Sequence, residues 1–564
     1  MRDPKALRSY AWFQGDQYEH LARRAWLRSE GYGPEIFQGK PIIGICNSWS
    51  ELNNCNMHLR QVAEAVKRGV LAAGGLPLEF PTISLGEMFM KPTTMLFRNL
   101  MAMDVEESIV ANPIDGVVLL AGCDKTTPAQ LMGAASADLP AIMVTGGPML
   151  GGRLRGQQLG SGTDGRRLFQ EYRAGRIGDE QWAEVEGCIA RSAGHCTVMG
   201  TASTMASMAE ALGMQMTGGA AIPAVDSRRY ALAEASGRRI VDMVWQELTP
   251  SKILTREAFE NAVRTDMAIG GSTNAVVHLL AIARRAGIEL TLDDFDRLSR
   301  ETPFITNVKP SGEFLMEDFY YAGGVPTVMR ELLPLLHGGA MTVTGKTMAE
   351  NLADVEPADR NMVRPLSDPL QAEGGTAILY GNLAPNGAVF KQSAAEPRLW
   401  KHKGKAVVFE SRAEMLAGID NPDLEVDADS VLVMKGAGPL GGPGFPEWGH
   451  LPIPKKLLQA GVKDMLRVSD ARMSGTSFGA DVLHVSPEAA AGGPLAAVRT
   501  GDLIEIDAPA RKLSLLVDDA EIERRLAERP AYKPAYKRGY GKLFLDHVTQ
   551  AHEGCDFDFL HADE

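Results

Sequence analysis

From Pro41 to about Val363, short and continuously apolar runs alternate with alanine-rich stretches of helical character. That alternation predicts an α/β fold. The run GVVLLAG (116–122) is too short for a helix and too uniformly apolar for a half-exposed strand, so it reads as a buried parallel strand. Behind it, CDKTTPAQLMGAASA reads as a helix, with Thr127 as a possible cap and Pro128 at a first-turn position; LPAIMVTGGP then reads as a second buried strand. Together they predict a strand–helix–strand crossover. The polar, glycine-punctuated segment 151–187 reads as a surface excursion. From about Gly374 the texture changes to short β-rich runs (AILYGNLAP, GAVFK, KAVVFE, SVLVMKG, LIEIDAP) separated by Gly, Pro and Asp. We therefore expect an N-terminal α/β domain over 1–370 and a mainly β domain over 371–564.

Length and charge agree with this division. A chain of 564 residues is too long for one ordinary core, and 45% hydrophobic residues supply two. The net charge of −13 argues against nonspecific nucleic-acid or anionic-membrane binding. No run approaches the roughly 20 apolar residues of a membrane span, and the start lacks the apolar core of a signal peptide. Six cysteines in so long a chain do not make a disulfide framework, and the expected location is the cytoplasm.

Three of those cysteines carry the candidate chemistry. Cys55, Cys123 and Cys196 lie in NNCNMHL, AGCDKTTPAQ and SAGHCTVMGTAS, knots of polar and small residues roughly seventy positions apart, without a CxxC pair. Scattered thiolates of this kind are able to hold an iron–sulfur cluster, with one iron left open if no fourth protein ligand exists. Taken singly, each reads first as an ordinary buried cysteine. The flanks favour ligands: Cys123, Asp124 and Lys125 fall on a strand-to-helix turn, where open α/β sheets bind ligands, and Cys196 precedes a small-residue helix whose N-terminal dipole favours a thiolate. Cys46 lies in an apolar strand-like run and reads as core; Cys188 and Cys555 have no ligand-like setting.

The motifs CDKTTPAQLMGAASADLPAIMVTGGPM, GHCTVMGTASTMASMAEALGM, GGSTNAVVHL, GNLAPNGAVFK, GGPGFPE and DARMSGTSFGADVLHVSPEAAAGGP run in one order from about residue 40 to about 500. They resemble the family that includes dihydroxy-acid dehydratase, phosphogluconate dehydratase and the sugar-acid (aldonate) dehydratases. The resemblance implies a doubly wound N-terminal domain, a barrel-like C-terminal domain and an active site between them. It implies an iron–sulfur cluster on Cys55, Cys123 and Cys196, 2Fe-2S rather than 4Fe-4S although three ligands fit either, beside a magnesium ion. It puts Glu87, Asp124 and Glu447 at metal-carboxylate positions and Lys125 where related enzymes carry a carbamylated lysine. Ser474 takes the position of the proton acceptor, with Thr476 as its neighbour.

The implied reaction is loss of water from a 2,3-dihydroxy acid to give a 2-keto-3-deoxy acid. Around Glu87 the chain reads SLGEMFMKPTTM, which departs from the glycine- and serine-rich stretch of the branched-chain enzymes and resembles the sugar-acid branch. A pentonate such as L-arabinonate or D-xylonate is the expected substrate. Dihydroxy-acid dehydration in branched-chain synthesis is the alternative. An iron–sulfur electron carrier would have no use for Glu87, Glu447 or Ser474, and a nucleotide-binding oxidoreductase would need a GxGxxG turn that the chain lacks. His195, Lys391, Arg472 and His484 are candidate partners for substrate hydroxyls. The aromatic and basic C-terminal stretch is expected to pack on the body or a neighbouring subunit, and the family suggests a homo-oligomer, a dimer or tetramer.

Overall fold

The computed structural model describes residues 3–37, 39–357 and 359–562. Four strands, β1 (Ile42–Asn47), β2 (Leu76–Pro81), β3 (Gly116–Ala121) and β4 (Ala141–Thr145), form an all-parallel sheet in the order β2-β1-β3-β4. Both central strands are buried along their whole length, which explains their unbroken apolar character. The crossover predicted around Cys123 is present: β3 leads into the helix Thr126–Ala137 and then into β4. The helix begins one residue before the expected cap. Thr126, not Thr127, ties the turn, since its Oγ1 accepts from the Cys123 N–H at 3.0 Å and donates to the Cys123 carbonyl at 3.0 Å.

Helices Leu59–Ala72 and Ser227–Gln246 cross in direct backbone contact. Glycines make this approach possible: a Cβ on Gly69 would strike the Glu234 carbonyl, and one on Gly237 the Val66 carbonyl. A hairpin of β5 (Gly152–Leu154) and β6 (Gln157–Leu159) follows the sheet, and helices Thr163–Arg173 and Asp179–Ile189 complete this segment. It is more than the surface excursion expected from its polarity, because Leu154, Leu159, Leu168 and Val185 bury a small core of their own.

The β-rich half closes into an eight-stranded barrel. Its strands are β7 (Ala377–Gly381), β8 (Ala384–Phe390), β9 (Lys401–Phe409), β10 (Val431–Met434), β11 (Arg467–Ser469), β12 (Asp481–Leu483), β13 (Leu503–Asp507) and β14 (Lys512–Leu515), in the order β10-β11-β12-β8-β7-β14-β13-β9. Strands β9 to β12 run parallel to one another. Closure leaves no exposed edge, and the apolar core of the barrel is separate from that of the sheet and its helices.

The C-terminal stretch packs on the body, as its aromatics suggested. Tyr540, Phe544 and Phe557 cluster on Leu96 and Phe97. Arg285 pairs with Asp556 at 2.5 Å with neither side chain exposed, and Arg98 donates to the Gly554 and Cys555 carbonyls at 2.8 and 2.9 Å. No helix among the described residues is long and apolar enough to cross a membrane.

Candidate active site between sheet and barrel

Every predicted site residue lies in a connection rather than in a helix or strand. Cys55 lies between β1 and helix Leu59–Ala72, Glu87 follows β2, and Cys123, Asp124 and Lys125 form the turn after β3. Glu447 follows β10 and Ser474 follows β11. These positions lie beyond the carboxyl ends of parallel strands, where successive loops converge.

The three thiols meet there. Asn54 joins the Cys55 and Cys196 loops: its carbonyl accepts from the Gly194 N–H at 3.2 Å, and its Nδ2 donates to the Gly194 carbonyl at 3.2 Å. The hydrogen bond to Cys123, burial, and the charges of Cys123, Cys196 and Asp124 together hold the Cys55 thiol well above its ordinary range. Burial and Asp124 push the Cys196 thiol up to about 12. Thiols crowded in this way ionise when a cation binds them, so the donor set fits a cationic cluster held by three sulfurs. The other cysteines stand apart: Cys46 is in the sheet core, Cys188 packs with Leu154 and Trp182, and Cys555 packs with Phe445.

Beside the thiols, Glu87, Asp124 and Glu447 each present one carboxylate oxygen within 4.8 Å of the others. Lys125 points into this acidic ring with no exposed surface, its Nζ 3.0 Å from Glu87, 3.4 Å from Asp124 and 3.0 Å from Glu447. Burial and Arg472 work against the ammonium charge, but the three carboxylates outweigh them and raise the lysine pKa. Burial raises the pKa of Glu87, whereas Lys125 and Arg472 overcome burial to lower that of Glu447. Three converging carboxylates around a cation suit a hard divalent ion with oxygen ligands.

Ser474 follows Met473, whose carbonyl shares the Asn274 amide with the Glu447 carboxylate. Its Oγ lies 3.0 Å from Thr476 Oγ1, and the Thr476 N–H approaches the same oxygen at 3.4 Å. Asn274, outside the expected set, and Arg472, expected instead as a partner for a substrate hydroxyl, hold the halves together. Asn274 Nδ2 donates to the Met473 carbonyl at 3.0 Å, to Thr201 Oγ1 at 2.9 Å and to Glu447 at 3.4 Å. Arg472 donates to Glu447 at 3.0 Å, Asn274 Oδ1 at 2.9 Å, the Phe445 carbonyl at 2.7 Å and Thr93 Oγ1 at 3.2 Å. Arg472 is thus committed to the framework instead of standing free for a substrate hydroxyl. His195, Lys391 and His484, the other candidates for that role, are buried, and burial lowers the pKa of both imidazoles to about 3.

Residues 40–351 match the family model described as dihydroxy-acid/6-phosphogluconate dehydratase N-terminal, and residues 361–555 match its C-terminal counterpart. The chain is 55% identical to the L-arabonate dehydratase of Azospirillum brasilense over 98% of this chain and 97% of that protein. It is 52% identical to the L-arabinonate dehydratase of Rhizobium leguminosarum bv. trifolii over 99% and 96%, respectively. With the 6-deoxy-6-sulfo-D-gluconate dehydratase of Pseudomonas putida it shares 51% identity over 99% and 97%.

Proposed function

The chain belongs to the dihydroxy-acid/6-phosphogluconate dehydratase family, and from that premise we propose that it is a hydro-lyase converting a 2,3-dihydroxy sugar acid into a 2-keto-3-deoxy acid. The substrate in this reading is a pentonate such as L-arabinonate or D-xylonate. The names of the relatives above half identity support the sugar-acid branch. The observation that carries the chemistry is the convergence of three thiols, three carboxylates and Ser474 at one place.

In this reading Cys55, Cys123 and Cys196 hold an iron–sulfur cluster of the 2Fe-2S type, and Glu87, Asp124 and Glu447 hold magnesium. When bound, the two groups would supply Lewis acidity that eases loss of a hydroxyl and acidifies the C2 proton. Carbamylation of Lys125 would exchange an ammonium that competes for the carboxylates for an anionic oxygen ligand. Ser474 Oγ, acting as an alkoxide, takes the C2 proton. The Thr476 hydroxyl and N–H are the donors that stabilise that oxygen's negative charge. The C3 hydroxyl leaves as water on taking back the proton that Ser474 Oγ removed from C2, which restores the alkoxide, and the enol left between C2 and C3 tautomerises to the keto acid. Asn274 and Arg472 keep Glu447 and the Ser474 loop in register with the sheet.

The strand order reverses between β1 and β3, which supports a doubly wound N-terminal domain over 1–370 working against a barrel domain over 371–564. Exposed apolar side chains on the loops carrying Cys55 and Glu87, Leu52 at 76%, Met88 at 78% and Phe89 at 69%, support a homo-oligomer, a dimer or tetramer. Six unpaired cysteines support a reducing compartment such as the cytoplasm.

The test is anaerobic turnover of the cluster-loaded, magnesium-supplemented protein on L-arabinonate, D-xylonate, D-gluconate and 2,3-dihydroxyisovalerate, with 2-keto acid as the readout. Keto acid from a sugar acid is the expected result. Activity confined to dihydroxyisovalerate would move the chain to the branched-chain reaction, and no keto acid from any of them would refute the dehydratase reading.

A further inference from the structure

Residues 160–164 carry the chain from β6 into helix Thr163–Arg173, and on the way they touch the loops of Cys196 and of Ser474. On the Cys196 side, Ser161 and Thr197 bond reciprocally: the Ser161 N–H donates to Thr197 Oγ1 at 2.8 Å, and the Thr197 N–H to Ser161 Oγ at 2.7 Å. Asp164 Oδ2 accepts from the Gly160 N–H at 2.6 Å and pairs with Lys309 Nζ at 2.6 Å. The Lys309 carbonyl in turn accepts from the Met199 N–H at 2.7 Å. Ser161, Thr163, Asp164 and Thr197 are all buried. This strap is thus fastened, directly and through Lys309, to the residues that follow Cys196.

On the Ser474 side the contacts fall on Thr476. Thr163 Oγ1 donates to the Thr476 carbonyl at 2.8 Å. Next to it, Gly162 has φ +82°, and a Cβ there would collide with the Thr476 side chain; one on Gly200 would lie 2.9 Å from Thr476 Cγ2. The Thr476 side chain, stiff at χ1 because its Cβ is branched, is therefore wedged between two glycines. Its Oγ1 stands 3.0 Å from Ser474 Oγ. Residues 474–476 lie in no helix or strand, so contacts of this kind set the geometry of the loop.

We propose that Thr163 is a positioning residue for the proton transfer: by holding the Thr476 carbonyl it sets the backbone from which the Thr476 hydroxyl and N–H reach Ser474 Oγ. The proposal rests on the reading of Ser474 as the base. In that reading the two Thr476 donors stabilise the alkoxide, and a hydrogen bond weakens steeply as its donor turns away from the acceptor. A misplacement of about 1 Å in a catalytic group costs about 10²-fold in rate. The strength of the base therefore depends on a hydroxyl anchored beside the Cys196 loop.

The test compares the holoenzyme with Thr163→Val, which keeps the shape of the side chain and removes the hydroxyl, with Thr163→Ala, and with Thr163→Ser, which keeps the hydroxyl. The substrate is whichever sugar acid the wild type turns over. Val and Ala should lower kcat by about 10- to 100-fold with KM changed by no more than about twofold, and Ser should recover kcat to within about threefold of wild type. Cluster absorption should be equal in all four proteins. A Val variant within about twofold of wild type, or a Ser variant as impaired as Val, overturns the proposal while leaving the dehydratase reading intact. Hydrogen exchange of the cluster-loaded proteins supplies a readout independent of turnover: amides 474–477 should exchange about fivefold or more faster in Val and Ala than in wild type and Ser. Equal exchange in all four refutes the role of Thr163. Should the wild type turn over no sugar acid, the dehydratase reading fails by itself, and hydrogen exchange still decides whether Thr163 holds the Thr476 loop.

Discussion

Lys125 Nζ and Glu447 Oε1 stand 3.0 Å apart although 322 positions separate them in the chain. One residue belongs to the turn after β3 and the other to the loop after β10, so the acidic ring exists only while barrel and sheet are seated together. Glu447→Gln keeps the shape of the side chain and removes its charge. It should weaken magnesium binding by about 10- to 100-fold or more, the range seen when the supports of a metal site are lost. Isothermal titration of the cluster-loaded variant checks this, and an unchanged affinity would remove Glu447 from the site.

Arg472 is a buried cation with four acceptors drawn from both halves of the molecule. Replacing it with Met strands those acceptors, Glu447 among them. Loss of one partner from a buried charged network costs about 3–5 kcal/mol. Urea unfolding of Arg472→Met should show a loss of that order, and a change below about 1 kcal/mol would mean that water substitutes for the guanidinium.

Among the described residues, neither carboxylate oxygen of the buried Asp266 has a hydrogen-bond partner, nor has Nζ of the equally buried Lys391, whose charge acts on it. Burial pushes its pKa up to about 7, and Lys391 offsets only part of the effect. Between about pH 4 and 7 the folded protein therefore retains a proton that the unfolded chain has released. Its contribution to stability falls as pH rises through that window, by up to about 1.4 kcal/mol per pH unit. Asp266→Asn has no proton to lose and should gain on wild type steadily from pH 4.5 to 7. Urea midpoints measured across that range decide it: parallel curves for the two proteins would contradict the linkage.

Much of the framework was legible. Strands β3 and β4 and the helix between them announce themselves because both strands are buried on both faces and read as unbroken apolar runs. Five of the eight barrel strands, β7, β8, β9, β10 and β13, are readable as short runs punctuated by Gly, Pro and Asp, whereas β11, β12 and β14, of three or four residues each, are not, and neither is the closure. Closure depends on β9 meeting β10 in parallel and β13 in antiparallel fashion, pairings that no local pattern encodes. The Cys123 turn was readable from its strand and helix. Glu87, Glu447 and Ser474 sit in irregular loops without periodicity, and only the motif resemblance pointed to them. Asn274 lay in GGSTNAVVHL, one of those motifs, but its side chain has meaning only through Met473 and Glu447, far along the chain. Segment 151–187 was misread because its small core is built from four residues scattered among charges.

The crossing of helices Leu59–Ala72 and Ser227–Gln246 tests the packing independently of the site. Gly237→Ala forces a methyl group against the Val66 carbonyl. Overpacking of this kind costs about 1–3 kcal/mol. Thermal unfolding should occur at lower temperature, with the cluster absorption and magnesium affinity of the folded protein retained. An unaltered melting profile would show that the helices move apart freely.

In the proposed reaction, thiols from the first half of the chain and a serine base from the second work as one composite site. The most direct test sets wild type beside Ser474→Ala, both purified anaerobically with iron, sulfide and magnesium supplied, and records keto acid from L-arabinonate together with the visible spectrum. Two brown proteins of equal cluster content are expected, with turnover in the variant lower by at least about 10²-fold, the low end of what a positioned base contributes. A variant that retains full activity, or a wild type that takes up no cluster on Cys55, Cys123 and Cys196, would contradict the composite site.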